Sequence, residues 1–261
     1  MSLLKALLYG FISAITEILP VSSSGHQAVF RKVLGDSVQF DMYNLFVHMG
    51  ILVALLYSCK SLLHRLRRSR RNAASNDQRV VKNATPSFII VSVLLVLFYS
   101  VKPDLLLVAA LFVLNGIILF IPGCIASGNK DARSMTALDS TLIGISGGLS
   151  AFPGLSRIAF MTTLVSARGG DRRYGVVWAL ALSVPAMVIL IFSDLYLAIV
   201  NGIPFQFTQF FCYLMAFAGS FCGCCISVKG LRRLTKTLGL SVLSYYCWGM
   251  AILSFILYLM V

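Results

Sequence analysis

The run Glu17-Ile18-Leu19-Pro20-Val21-Ser22-Ser23-Ser24-Gly25-His26 brings together an acid, three consecutive hydroxyls, a glycine and a histidine. A second run, Phe152-Pro153-Gly154-Leu155-Ser156-Arg157, sets a guanidinium beside a serine and a glycine. Together they contain the parts of a phosphate site. Arg157 presents a planar fork of donors suited to phosphate oxygens. Glu17 offers a carboxylate, and His26 can move a proton near neutral pH. Ser22, Ser23 and Ser24 offer hydroxyls, and Ser156 lies beside the arginine. Gly25 lets a ligand approach the backbone, and Gly154 lies beside Arg157 in the substrate-binding set. Short helices starting at the Pro and Gly breaks would add free N–H groups for an anion. Hydrolysis suits this set. Arg157 holds the phosphate, Ser23 attacks phosphorus or positions the attacking water, and His26 or Glu17 shuttles protons. A divalent ion, Mg²⁺ or Ca²⁺, held partly by Glu17 and partly by substrate oxygens, would neutralise charge.

The same residues also fit quieter roles. Serines in membrane helices hydrogen-bond between helices. Glu17 and Arg157 can form a buried structural ion pair. His26 can sit solvated at an interface. His48, near Gly50, can reach the cavity or simply pack, and His64 reads as a solvated residue of a basic loop. Asp194 fits a cap at a helix break and receives no role. Cys222, Cys224 and Cys225 lie in an apolar run without paired Cys-x-x-Cys spacing or a nearby His or Asp, so they read as small core residues rather than a metal cluster.

The medium around these residues is lipid. The chain of 261 residues is 58% hydrophobic and only 12% charged, against roughly 25% charged in soluble domains. Nearly charge-free runs cover Phe88 to Val101, Leu105 to Ala126, Val176 to Val200, Phe207 to Val228 and Leu240 to Val261. Most approach or exceed the roughly 20 residues a spanning helix needs. The fold class is therefore an all-α polytopic membrane protein. The first apolar stretch carries Lys5 alone and runs into Glu17 without a small-residue cleavage pattern, unlike a signal peptide. A net charge of +13 belongs to loops at the cytoplasmic face. Nucleic acid is excluded as a partner, because no basic face is interleaved with stacking aromatics.

Basic residues cluster in four polar stretches, Lys60 to Lys82, Lys130 to Arg133, Arg168 to Arg173 and Lys229 to Lys236. Placing all four in the cytoplasm fixes six spans: Asn44 to Cys59, Pro86 to Val101, Leu105 to Ala126, Tyr174 to Val200, Phe207 to Val228 and Leu240 to Val261. Residues 1–30 then begin and end outside, and residues 134–167 begin and end inside. Each reads as a re-entrant helical hairpin, and the two enter from opposite sides. Leu19-Pro20-Val21-Ser22-Ser23 and Phe152-Pro153-Gly154-Leu155-Ser156-Arg157 share one pattern: an apolar residue, Pro, then small and hydroxyl residues. This predicts one membrane domain built as an inverted repeat, over approximately 1–126 and 134–261, with a basic cytoplasmic loop at 60–84. Broken helices meeting near the midplane would build the site between them. Ionisable groups at that depth are expensive and usually functional.

Thr16-Glu17-Ile18-Leu19-Pro20-Val21-Ser22-Ser23-Ser24-Gly25-His26 closely resembles the first signature of the undecaprenyl-diphosphate phosphatase (bacitracin-resistance) family, and Pro153-Gly154-Leu155-Ser156-Arg157 resembles its second. Their order, the chain length and the hydropathy also match. The resemblance implies a membrane phosphatase that removes the terminal phosphate of a C55 polyprenyl diphosphate and so recycles the lipid carrier of envelope polymers. It implies a site open to the outer face of the bacterial cytoplasmic membrane and dependence on a divalent metal. It places the family's acid on Glu17, its catalytic serine on Ser23, its histidine on His26 and its diphosphate-binding arginine on Arg157. The partners expected are the polyprenyl diphosphate and membrane lipids, with a homodimer allowed. Three departures stand out. Ser13 replaces a second acid one turn before Glu17, which removes a metal ligand or proton carrier. Ile158-Ala159 replaces Ser-Gly after the arginine, and Gly147 replaces a glutamine. A transporter that binds a lipid phosphate without hydrolysing it is the rival reading, and a protein that only sequesters the lipid is a third.

Overall fold

The computed structural model describes residues 1–34, 40–68, 75–98, 104–125, 128–203, 205–236 and 239–260. These residues form the helices α1 (Leu3–Ile18), α2 (Ser23–Leu34), α3 (Phe40–Ser58), α4 (Lys60–Arg68), α5 (Ser75–Phe98), α6 (Leu105–Cys124), α7 (Ala137–Gly148), α8 (Arg157–Ala167), α9 (Arg172–Val200), α10 (Phe210–Lys236) and α11 (Leu243–Leu259). Among the described residues there is no strand, only an isolated bridge between Lys130 and Gly170. The protein is all-α and integral to the membrane. Five segments are long and apolar enough to cross a bilayer: Phe40–Ser58, Leu105–Cys124, Arg172–Val200, Phe207–Lys236 and Leu240–Leu259. The sixth expected span, Pro86 to Val101, is the apolar second half of α5 as far as Phe98, and its last residues lie outside the described ones. The first half of α5 carries Asp77, Arg79 and Lys82, which dilute its hydropathy.

Both expected hairpins are helix–break–helix units. Ser2 caps α1, accepting from the Lys5 N–H. Leu19, the residue before Pro20, is extended (ψ 148°) and ends that helix, as steric conflict with the proline ring requires. The chain turns through Val21 and Ser22 and re-enters a helix at Ser23. In the second unit, Thr136 and Asp139 form a reciprocal capping box at the start of α7. That helix ends at Gly148, a single 3₁₀ turn follows, and α8 starts at Arg157. Arg168 donates to Asp139 at 2.5 Å and ties the end of α8 to the start of α7. Burial alone would raise the Asp139 carboxyl, but hydrogen bonds from Thr136 and Arg168 outweigh it and hold the group below its ordinary value.

The stretch 60–84, expected as a basic loop, is largely helical. It comprises α4 and the first turns of α5, and residues 69–74 lie outside the described ones. It docks on the mouth of the second hairpin. Arg79 donates to the carbonyls of Ala132 and Met135 at 3.2 and 3.0 Å, and Trp178 Nε1 donates to Asp77 at 3.1 Å.

Small residues allow the helices to approach closely. A Cβ on Gly10 of α1 would lie 2.0 Å from the Ala216 carbonyl oxygen of α10. A Cβ on Gly144 of α7 would lie 2.1 Å from the Ala84 carbonyl oxygen of α5. So α1 packs along α10 much as α7 packs along α5, while α3 lies against α9 and α6 against α11. One large apolar core runs through the molecule, and a smaller cluster joins α2, α6 and α11 through Val29, Val108, Phe112 and Ala251. Phe192, Ile199, Phe211 and Leu259 face outward, which costs little against acyl chains. Cys224 packs against α3, and Cys222, Cys224 and Cys225 are free thiols on α10.

Candidate active site between the two helix breaks

The two breaks meet. The Gly154 N–H donates to Ser22 Oγ at 3.0 Å, joining the tip of one hairpin to the tip of the other. Ser22 sits at φ +68°, the left-handed region that a serine rarely occupies. Its surroundings hold it there: its hydroxyl also accepts from the Gly25 N–H at 3.3 Å, and its carbonyl accepts from His26 Nδ1 at 2.6 Å. Asn115, fully buried on α6, braces both breaks. Its Nδ2 donates to the Pro20 carbonyl at 3.0 Å, and its Oδ1 accepts from the Ser156 N–H at 2.9 Å. The N-terminus of α2 at Ser23 and that of α8 at Arg157 therefore point into one place. Unpaired N–H groups and helix dipoles make such a place favourable for an anion.

Beside these breaks opens a cavity of about 220 Å³, lined among others by Glu17, Ser23, Ser24, His48, Arg157 and Asp194. Ser23 Oγ donates to Glu17 Oε2, and Arg157 Nη2 donates to Glu17 Oε1 at 2.5 Å. One carboxylate thus joins a hydroxyl from the first hairpin to a guanidinium from the second. Arg157 is buried, and its Nε has no partner among the described residues. A buried donor left unsatisfied costs about 1–3 kcal/mol. Ser22 and Ser156 also line this cavity.

Gly25 and Gly154 are placed differently from the expectation that Gly25 admits ligand and Gly154 helps to bind it. A Cβ on Gly25 would lie 2.6 Å from the Phe112 ring and 3.1 Å from Gly154 Cα. Gly154 has φ +106°, and a Cβ there would lie 2.6 Å from Leu111 Cβ. Protein fills the space beside both, because this is where the hairpins cross. His26 is also occupied. Nδ1–H donates to the Ser22 carbonyl, which leaves Nε2 of the neutral ring to accept from the Tyr246 hydroxyl at 2.7 Å. Its ring stacks on Tyr246 and meets Phe112 edge-on.

Sequence reading missed Asn115 and Tyr246. The signal for Asn115 was a lone amide in an otherwise apolar run. Tyr246 had none, since aromatics are common in such helices. His48, read as able to reach the cavity or simply to pack, and Asp194, left without a role, form a buried pair at 2.5 Å on the cavity wall. Arg31 pairs with Asp41 at 2.9 Å near the same cavity. A resident metal does not fit the donor set. Among the described residues no group of three His, Cys, Asp or Glu side chains converges, and both Glu17 oxygens already have partners. Ser13, in the place of the second acid, offers no carboxylate.

Two broken helices in an all-α membrane protein meet at a buried Arg–Glu–Ser cluster. The chain matches the family of bacitracin resistance protein BacA over residues 6–253, and it belongs to that family. Among similar proteins is the undecaprenyl-diphosphatase of Thermodesulfovibrio yellowstonii, 28% identical over 262 residues that cover 98% of this chain and 97% of the relative. The undecaprenyl-diphosphatase of Carboxydothermus hydrogenoformans is 24% identical over 95% of this chain and 94% of its own length. That of Methanobrevibacter smithii is 26% identical over 98% and 97%.

Proposed function

We propose that this protein hydrolyses undecaprenyl diphosphate to the monophosphate and inorganic phosphate, recycling the lipid carrier of cell-wall synthesis and conferring bacitracin resistance. One observation carries the reading: Arg157, Glu17 and Ser23 are bonded together where two helix N-termini face one cavity. Family membership and the names of the relatives support it. Arg157 binds the terminal phosphate through the part of its guanidinium that lines the cavity. The N–H groups at the starts of α2 and α8, with Ser24 and Ser156, take further phosphate oxygens. Ser23 supplies or orients the nucleophile, and Glu17, its bonded partner, receives the hydroxyl proton. His26 fixes the Ser22 turn against α11 and so positions Ser23. The apolar tail lies in the bilayer.

Dependence on Mg²⁺ or Ca²⁺ belongs to this reading as an ion brought with the diphosphate, since the described residues hold no cage for one. The site opens to the outer face of the cytoplasmic membrane on the charge bias of the loops. The matched packing of α1 with α10 and of α7 with α5 supports an inverted repeat of about 1–126 and 134–261.

The test is phosphate release from undecaprenyl diphosphate by the purified protein, with Mg²⁺, with Ca²⁺ and with chelator. We expect turnover that Arg157→Ala lowers by at least about a hundredfold, the order expected on losing a key electrostatic group. Equal background release from wild type and variant sinks the phosphatase. Lipid translocation in proteoliposomes without phosphate release would replace it with a transporter.

A further inference from the structure

The buried pair His48–Asp194 has no part in the chemistry described so far. His48 lies on α3, Asp194 on α9, and both line the cavity that holds Ser23 and Arg157. Each is less than a tenth exposed. Nδ1 of His48 donates to Asp194 Oδ2 at 2.5 Å, which fixes the tautomer and the ring plane. Nε2 has no hydrogen-bond partner among the described residues. Neither side chain is bonded to Glu17 among those residues. His26, by contrast, has both ring nitrogens engaged and does not line the cavity. Both Glu17 carboxylate oxygens are already engaged, by Ser23 and by Arg157.

A histidine held by a carboxylate on one nitrogen, with the other free at a reaction cavity, is the arrangement of a general base. We propose that His48, oriented by Asp194, takes the proton from the attacking water when inorganic phosphate is formed. The water oxygen bonds to phosphorus and one water proton moves to Nε2. The bond from phosphorus to the leaving oxygen breaks, and that oxygen keeps the electron pair. The imidazolium then returns its proton to the leaving oxygen or to bulk water. The balance is the same whether phosphorus is carried by the lipid or by Ser23. The inference rests on the phosphatase reading above.

The groups surrounding His48 bear on its pH dependence. Asp194 from α9, Glu17 from α1 and Arg157 from α8 act on His48 itself, while Arg31 from α2 and Asp41 from α3 act on its partner Asp194. From α10 come Tyr213 and Cys224, packed on Phe46 and Ile51 of α3. Asp194 is the one directly bonded.

The test uses the full chain in detergent and undecaprenyl diphosphate. His48→Ala should lower kcat by about 10²–10⁴-fold, the usual worth of a general base, with little change in KM. The acid limb of the pH–kcat profile, where protonation removes the base, should vanish. Added imidazole should restore turnover to His48→Ala but not to Arg157→Ala. Asp194→Asn, which keeps the shape of the pair, should lower kcat by at least about tenfold, because the tautomer is no longer enforced. If His48→Ala proves too unstable to purify, Asp194→Asn alone decides. An unchanged acid limb with no imidazole rescue, or full kcat in Asp194→Asn, overturns the role of His48 while wild-type turnover leaves the phosphatase standing. Absence of wild-type turnover overturns both.

Discussion

At the residue scale, the site depends on a few polar atoms that satisfy strained or broken backbone. Ser22 holds a left-handed conformation because its hydroxyl and carbonyl are both tied down. Asn115 has the same function for two chain breaks at once. Replacing it by leucine, close to it in volume, should leave the Pro20 carbonyl and the Ser156 N–H unpaired in the interior. Each such loss costs about 1–3 kcal/mol. We expect Asn115→Leu to melt earlier in detergent and to lose kcat more than substrate affinity, because Ser23 and Arg157 flank the two breaks it braces. A melting curve and turnover rate matching wild type would show that the amide does not brace the site.

At the element scale, the second hairpin depends on its cytoplasmic mouth. The Thr136–Asp139 box starts α7, and Arg168 returns from the end of α8 to the same carboxylate. Asp139 is held below its ordinary value, so its ionised form favours the folded state. That contribution is full above the ordinary aspartate range and fades as pH falls below about 4. Asp139→Asn should therefore be less stable than wild type at neutral pH and lose less on acidification. Melting temperatures of both proteins across an acid series test this; parallel curves would remove the carboxylate from hairpin stability. Both hairpins sit closely on their partners, and glycines at Gly10 and Gly144 decide how near α10 and α5 can come.

At the scale of the whole molecule, the reading is one of opposed halves. Four basic clusters on one side predict that Lys130 is cytoplasmic, while the α9–α10 connection, where Phe207 is exposed, is external. In a variant lacking the seven native cysteines, a cysteine at position 207 should react with a membrane-impermeant maleimide added to intact cells, and one at position 130 only after lysis. Labelling of both from outside would break the topology on which the opposed hairpins rest.

The sequence alone determined the all-α membrane class, because apolar run length and loop charge are local quantities that a bilayer reads directly. Glu17, Ser23 and Arg157 were legible for the same reason: polar groups are conspicuous in an apolar chain. Proline positions likewise marked both helix breaks. What lay beyond it was who meets whom. Ser22 and Gly154 are far apart in the chain, as are Asn115 and Ser156, and no local pattern records either bond. Gly25 looked like an opening for ligand and Gly154 like part of its site, yet their missing side chains are what let the hairpins cross. His26 and His48 were alike as residue types. Only the tertiary structure separated them, by engaging both nitrogens of His26 and leaving Nε2 of His48 without a protein partner on the wall of the cavity.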